Sequence, residues 1–222
     1  MAETVNVRVI RPPAPSLAKC LTAELLASFF LTLTALFAPP EILVISIGVV
    51  VLALVLAIAN VSGSHISPTV TIGAMAIGAI PVGKGIAYMV AQTAGAFLAV
   101  GVRQLVVGGA WPTITAPIPG HAFPFEMIAN IFFVFIVIRV VLSGLDIAAI
   151  GLAVGGAVMI AVAIAAGHSG GIISPAIGLA LLFGNTQADL PANFLAYLVA
   201  GLLGGVIGAL LAKFLAPQRE LS

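Results

Sequence analysis

The sequence predicts an all-α membrane protein built from six transmembrane helices and two shorter re-entrant helices. Three observations carry this prediction. Hydrophobic residues make up 62% of the 222 residues and charged residues 7%, against about 25% charged residues in a soluble domain, so the chain cannot furnish a soluble surface. Apolar runs approaching the roughly 20 residues that span a bilayer as helix recur along the chain. A short polar motif then interrupts the apolar chain twice, as SGSHISPTVTIG at Ser62–Gly73 and as HSGGIISPAIGL at His168–Leu179.

The segments follow in order. The first two apolar runs cover 18–38 and 42–60, and the first carries Glu24, costly inside lipid unless it faces hydrogen-bonding partners. Ser67-Pro68 then starts a helix, because serine caps free amide groups and proline is tolerated in the first turn. The apolar piece behind it, Thr69–Ile80, is too short to cross. The third run, 86–108, places Gly95 between Ala91 and Ala99 at intervals of four, a small-residue face for close packing. The fourth and fifth runs cover 124–143, with Glu126, and 147–166. Ser174-Pro175 starts the second short piece, Ala176–Phe183, and the last run, 193–215, carries Gly201, Gly204, Gly205 and Gly208.

The halves correspond, at about 18–108 and 124–216 of one channel domain covering 1–222. Three spans per half is odd, so the second copy is inverted, and inverted repeats bring broken helices together near the midplane. The glycine-rich loops leading into both short helices must face inward, since irregular backbone is not tolerated against lipid. With a cytoplasmic amino terminus, Arg8, Arg11, Lys19, Lys84, Arg139, Lys213 and Arg219 fall on the cytoplasmic side and Arg103 outside. Both termini are then cytoplasmic, in a cell or inner membrane, and the prolines of Met1–Lys19 make it a poor signal peptide.

At this point the residues resemble the aquaporin, or major intrinsic protein, family. SGSHISPTVTIG is similar to its first signature, Ser-Gly-Ala-His-x-Asn-Pro-Ala-Val-Thr, and Gly170–Ala176 to its second, Gly-x-x-x-Asn-Pro-Ala. Glu24 and Glu126 stand where the family has a buried glutamate in each half, and Ala87–Ala96 is similar to its third span. The resemblance implies a homotetramer in the lipid bilayer with one pore per subunit. It also implies that Ser67, Pro68 and Thr69 meet Ser174, Pro175 and Ala176 at the midplane. Ser67 and Ser174 stand where the family has donor asparagines, and serine is shorter with one hydroxyl donor.

The family's outer constriction maps by distance onto Ile47, Val162, Gly171 and Ile177, with Ile177 in the place of the family's arginine. Water-selective members combine an aromatic, a histidine and this arginine; glycerol-conducting members keep the arginine with two aromatics. Here the set has neither charge nor side-chain donor. Passage then depends on width, backbone carbonyls and dewetting. Small Gly171 should widen the opening, whereas a ring of Ile47, Val162 and Ile177 should throttle it.

His65 is read as orienting the first loop, Gln92 as an interior hydrogen-bonding residue, and Glu24 and Glu126 as supports for the loop amides. His168 is read as a loop anchor, with lining the outer vestibule or titrating near neutral pH as a gate as the alternative, Trp111 as an interfacial anchor, and Phe125, Phe132, Phe133 and Phe135 as lipid or subunit packing. No metal or cofactor is expected: Cys20 is alone, and His65 and His168 fall on opposite sides of the membrane. A net charge of +1 gives no reason to invoke nucleic acid. An enzyme is not expected either, because Ser67 and Ser174 lie in capping positions without an adjacent base. The expectation is a passive channel for water and small uncharged solutes through an apolar, arginine-free filter. A channel preferring a neutral solute or gas over water (glycerol, urea, ammonia, carbon dioxide), and a secondary transporter, stay open as alternatives.

Overall fold

The computed structural model describes residues 14–113, 116–118, 120–184 and 190–217; Arg8, Arg11 and Arg219 of the orientation argument lie outside them. Among the described residues six helices are long and apolar enough to cross a membrane. Helix α1 (Leu17–Phe37) starts at Ser16, whose hydroxyl accepts from the Lys19 amide. A short 3₁₀ turn, Pro40–Ile42, leads into α2 (Leu43–Ser62), which stops where Gly63 takes φ 92°. Helix α3 (Pro68–Ala76) is the first short helix and α4 (Val82–Val107) the next span. Spans α5 (Ala122–Leu142) and α6 (Ile147–Ser169) follow, the latter capped by Asp146. After α7 (Pro175–Leu182) comes the last span, which joins α8 (Leu190–Phe194) to α9 (Gly201–Phe214) through a π-type stretch, Leu195–Ala200.

The elements match the predicted order, with three differences at boundaries. Span α4 begins at Val82, earlier than expected, because Pro81 sets the turn and Lys84 needs only to reach the membrane edge. Span α6 continues to Ser169, through the polar residues with which the second motif opens. The wider π turn, not visible in the apolar pattern, holds Tyr197, which reaches across to the second loop.

Close helix contacts depend on the small residues. Helices α1 and α4 pack tightly, as do α5 and α9. A Cβ on Gly208 would lie 2.5 Å from the Ile131 carbonyl of α5, and one on Gly95 would run into the Leu25 carbonyl of α1. The backbones approach until only hydrogen fits, as in small-residue packing of membrane helices. Val49, Val90, Leu152 and Ile160 remain exposed on the spans. Such an apolar exterior suits lipid and would be a liability in water.

Candidate functional site

Two buried carboxylates organise the loops that precede the short helices. Glu24 Oε1 accepts from the Ser62 hydroxyl at 2.6 Å and the His65 amide at 3.0 Å; its Oε2 accepts from the Ile66 amide and from Gln92 Nε2, both at 2.7 Å. The second half repeats this arrangement. Glu126 Oε1 accepts from the Ser169 hydroxyl at 2.6 Å and the Ile172 amide at 2.9 Å, while Oε2 accepts from the Ile173 amide at 2.9 Å. Tyr88 donates to the Ser62 carbonyl at 2.8 Å, and Tyr197 to the Ser169 carbonyl at 2.5 Å. Ile66 and Ile173 take φ 64° and 53°, a conformation that β-branched residues avoid and that costs about 1–3 kcal/mol each. The carboxylate bonds hold both residues there.

This pinning sets the polarity of what lies beside the loops. In a trans peptide the N–H and the preceding C=O point in opposite directions. With the amides of His65, Ile172 and Ile173 directed to the glutamates, the carbonyls of Ser64, Gly171 and Ile172 turn the other way, and all three residues line a cavity of about 160 Å³. The Ser67 and Ser174 hydroxyls enter the same cavity, 3.3 Å apart. His65 of the first loop also lines it, and the wall from the spans is apolar: Leu43, Ile47 and Val51 of α2, Phe133 and Val137 of α5, and Val158 and Val162 of α6. Ile177 of α7 completes it, 4% exposed.

A model of the family described as major intrinsic protein matches residues 13–146 and 120–221. The chain belongs to the major intrinsic protein family. Aquaporin NIP1-4 of Oryza sativa subsp. japonica is 34% identical over 73% of this chain and 66% of its own length. Nodulin-26 of Glycine max is 29% identical over 61% of this chain and 52% of its own. The chain thus spans about half to two-thirds of the length of these curated relatives. Among solved structures, the aquaglyceroporin from Plasmodium falciparum superposes with a TM-score of 0.77 at 21% identity, covering 93% of this chain and all of that one. The family and its fold are those of transport channels, in keeping with the expectation that the chain is not an enzyme.

In this major intrinsic protein the cavity gathers the residues matched to the outer constriction, Ile47, Val162, Gly171 and Ile177, with Ser67, Ser174 and His65. Pro68, Thr69, Pro175 and Ala176 are buried behind them in the first turns of α3 and α7. Thr69 donates to the Gly201 carbonyl at 2.8 Å, tying α3 to the last span. His65 Nδ1 lies 3.2 Å from Thr71 Oγ1, and Gln92 bridges Thr71 to Glu24, so the first loop rests on a polar network. The second half has Gly178 and Gly201 where Thr71 and Gln92 would recur, and the network has no counterpart there.

Four expectations change. Ser67 caps α3 by accepting from the Thr69 amide at 3.4 Å, but Ser174 makes no capping bond, because its hydroxyl turns into the cavity toward Ser67. Gly171 does not widen the cavity by lacking a side chain. A Cβ there would lie 2.9 Å from the Val162 carbonyl and 3.2 Å from the Ala166 amide, inside the α6 backbone. Its smallness lets the loop lie against α6 at φ 66°. Phe133 lines the cavity, whereas it was expected to pack against lipid or a subunit. Trp111 donates to the Ala180 carbonyl at 2.8 Å and packs near Phe97 and Phe183, fastening the loop after α4 to α7. Gly171→Ala is accordingly expected to lower stability by about 2 kcal/mol through strain and overlap with α6, read as an earlier unfolding midpoint in detergent.

Tyr88, Tyr197, Ser62 and Ser169 were not singled out from sequence. A signal was present: the chain has two tyrosines, one in each span that follows a Ser-Pro motif, and a Ser-Gly pair begins each loop.

Proposed function

We propose that this chain is a passive channel that passes small uncharged solutes in preference to water. The observation that carries this is the wall of the cavity, where the residues matched to the outer constriction, Ile47, Val162, Gly171 and Ile177, supply no arginine and no side-chain donor of their own. A water molecule there exchanges most of its bulk hydrogen bonds for apolar contact, and burial of a polar group without partners is costly. A polyol or urea meets the same wall differently. Its carbon skeleton or flat face rests against the isoleucines and valines, while its hydroxyls or amides reach the loop carbonyls and the Ser67–Ser174 pair. The balance moves from the water-conducting expectation toward its solute-preferring alternative.

The reading extends to the whole assembly. The channel is a single domain over residues 1–222, with inverted halves at about 18–108 and 124–216, in a homotetramer. It sits in a cell or inner membrane with both termini cytoplasmic, as the placement of Lys19, Lys84, Arg139 and Lys213 against Arg103 supports. Ser67 and Ser174 take the place of the family's asparagines. The positive ends of α3 and α7 oppose cations at the midplane.

His65 is the one titratable side chain among the described lining residues, which argues against ion-coupled transport. In proteoliposomes, glycerol and urea flux is expected to rise linearly with concentration and to ignore sodium and proton gradients. Saturation, or dependence on an ion gradient, would make the protein a secondary transporter instead.

A further inference from the structure

The loop before α5 and the end of α6 bring together two histidines that the sequence holds 47 residues apart. His121 precedes the first turn of α5, His168 lies in the last turn of α6, and their Nδ1 atoms are 3.1 Å apart. Phe125 stacks on the His168 ring with centroids 3.6 Å apart and planes 12° apart, which fixes the ring's plane. The Ile118 amide donates to the His168 carbonyl at 3.4 Å, tying the loop before α5 to the same turn. His121 is exposed and His168 half-buried, so the pair is open to small ions.

We propose that His121 and His168 form a two-histidine site for a first-row transition-metal dication, taking nickel or copper through the two Nδ1 atoms, with water completing the shell. An imidazole nitrogen binds such metals at about 2.0–2.1 Å, and two nitrogens 3.1 Å apart at that radius subtend about 100° at the metal. This lies between octahedral and tetrahedral angles, and with the His168 ring held by Phe125 it is the exposed His121 ring that must turn for the two lone pairs to converge. With both rings neutral, the 3.1 Å contact is a hydrogen bond in which one Nδ1 donates to the other. Metal binding moves that proton to Nε2 of the same ring, so both imidazoles stay neutral and none is lost to solvent. Imidazole donors favour nickel and copper over magnesium, which prefers oxygen. The carbonyl end of α6 adds a favourable field for a cation.

The site also bears on the cavity. His168 is two residues before Gly170, where the loop stretch that lines the cavity begins. A bound ion would tether the start of α5 to the end of α6 and add positive charge beside that stretch. Occupancy is expected to lower solute flux.

The test uses the purified full chain in detergent, titrated calorimetrically with nickel chloride, copper chloride and, as control, magnesium chloride. The expected result is one nickel or copper per chain and no magnesium binding. Each of His121→Ala and His168→Ala should weaken binding at least about tenfold, since even outer-shell changes cost that much. The double variant should lose binding while keeping its unfolding midpoint. Undiminished binding in the folded double variant would overturn the site. In proteoliposomes, nickel should slow glycerol efflux through the unmodified protein and not through the double variant; binding without slowing would overturn the coupling to the cavity. The calorimetric arm does not depend on which solute the channel carries.

Discussion

Glu126→Ala is expected to leave the channel unable to accumulate in folded form. The carboxylate receives three donors, the Ser169 hydroxyl and the Ile172 and Ile173 amides, and its side chain is 1% exposed. The Ser169 hydroxyl can turn to the Ala165 carbonyl, 3.1 Å away, but the two amides have no other acceptor, and at about 1–3 kcal/mol for each buried donor left unpaired they cost about 2–6 kcal/mol. That is a large share of the stability of a typical domain, about 5–15 kcal/mol. The same change also releases Ile173 from its strained φ of 53°, so the loop backbone would abandon the cavity wall. Glu126→Gln should be milder, at about 2–3 kcal/mol, because one amide hydrogen then faces a backbone N–H while the remaining oxygen still accepts. The ordering is checked by unfolding midpoints in detergent together with glycerol flux. If the alanine variant unfolded with the unmodified protein, the loops would be held by something other than this carboxylate.

Ile177→Arg is expected to have the second largest effect, on transport rather than on folding. The residue is buried against the cavity beside Ile47 and Val162, in the first turn of α7. Arginine there adds five donors, a charge and greater length. The loop carbonyls of Gly171 and Ile172 can accept from part of the guanidinium, leaving the rest in the path. The opening narrows, cations and protons meet a positive barrier, and water gains hydrogen-bonding partners that the apolar wall withholds. Glycerol and urea flux should fall by at least about tenfold, which takes only about 1.4 kcal/mol of added barrier, and water flux should persist. Any proton leak should fall as well. Equal solute flux through both folded proteins would show that residue 177 is not at the constriction.

Much of the fold was legible because lipid imposes strong constraints. Segments such as 42–60 have no reading but a span, and a polar Ser-Pro motif inside such a chain has few permissible places. Glu24 and Glu126 were legible for the same reason: a carboxylate in a span needs donors, and the loop amides are the available ones. Side-chain direction was harder to read. That Ser174 faces the cavity instead of capping α7, and that Gly171 faces α6, depends on loop torsions near φ 53–66° that no spacing rule reports. Phe133 reads as one of several aromatics on its helix, and only packing shows which one meets the cavity. The His121–His168 pair depends on how the loop before α5 returns to α6, a tertiary contact without a periodic signature.

The solute preference is tested most directly by measuring both permeabilities of the unmodified protein in one proteoliposome preparation, by stopped-flow light scattering. The first shrinkage after an impermeant osmotic shock reports water, and reswelling in glycerol or urea reports solute. The apolar, arginine-free wall predicts a clear rise in solute permeability over protein-free vesicles with a smaller proportional rise for water. A large rise in water permeability with solute flux at the protein-free level would contradict it.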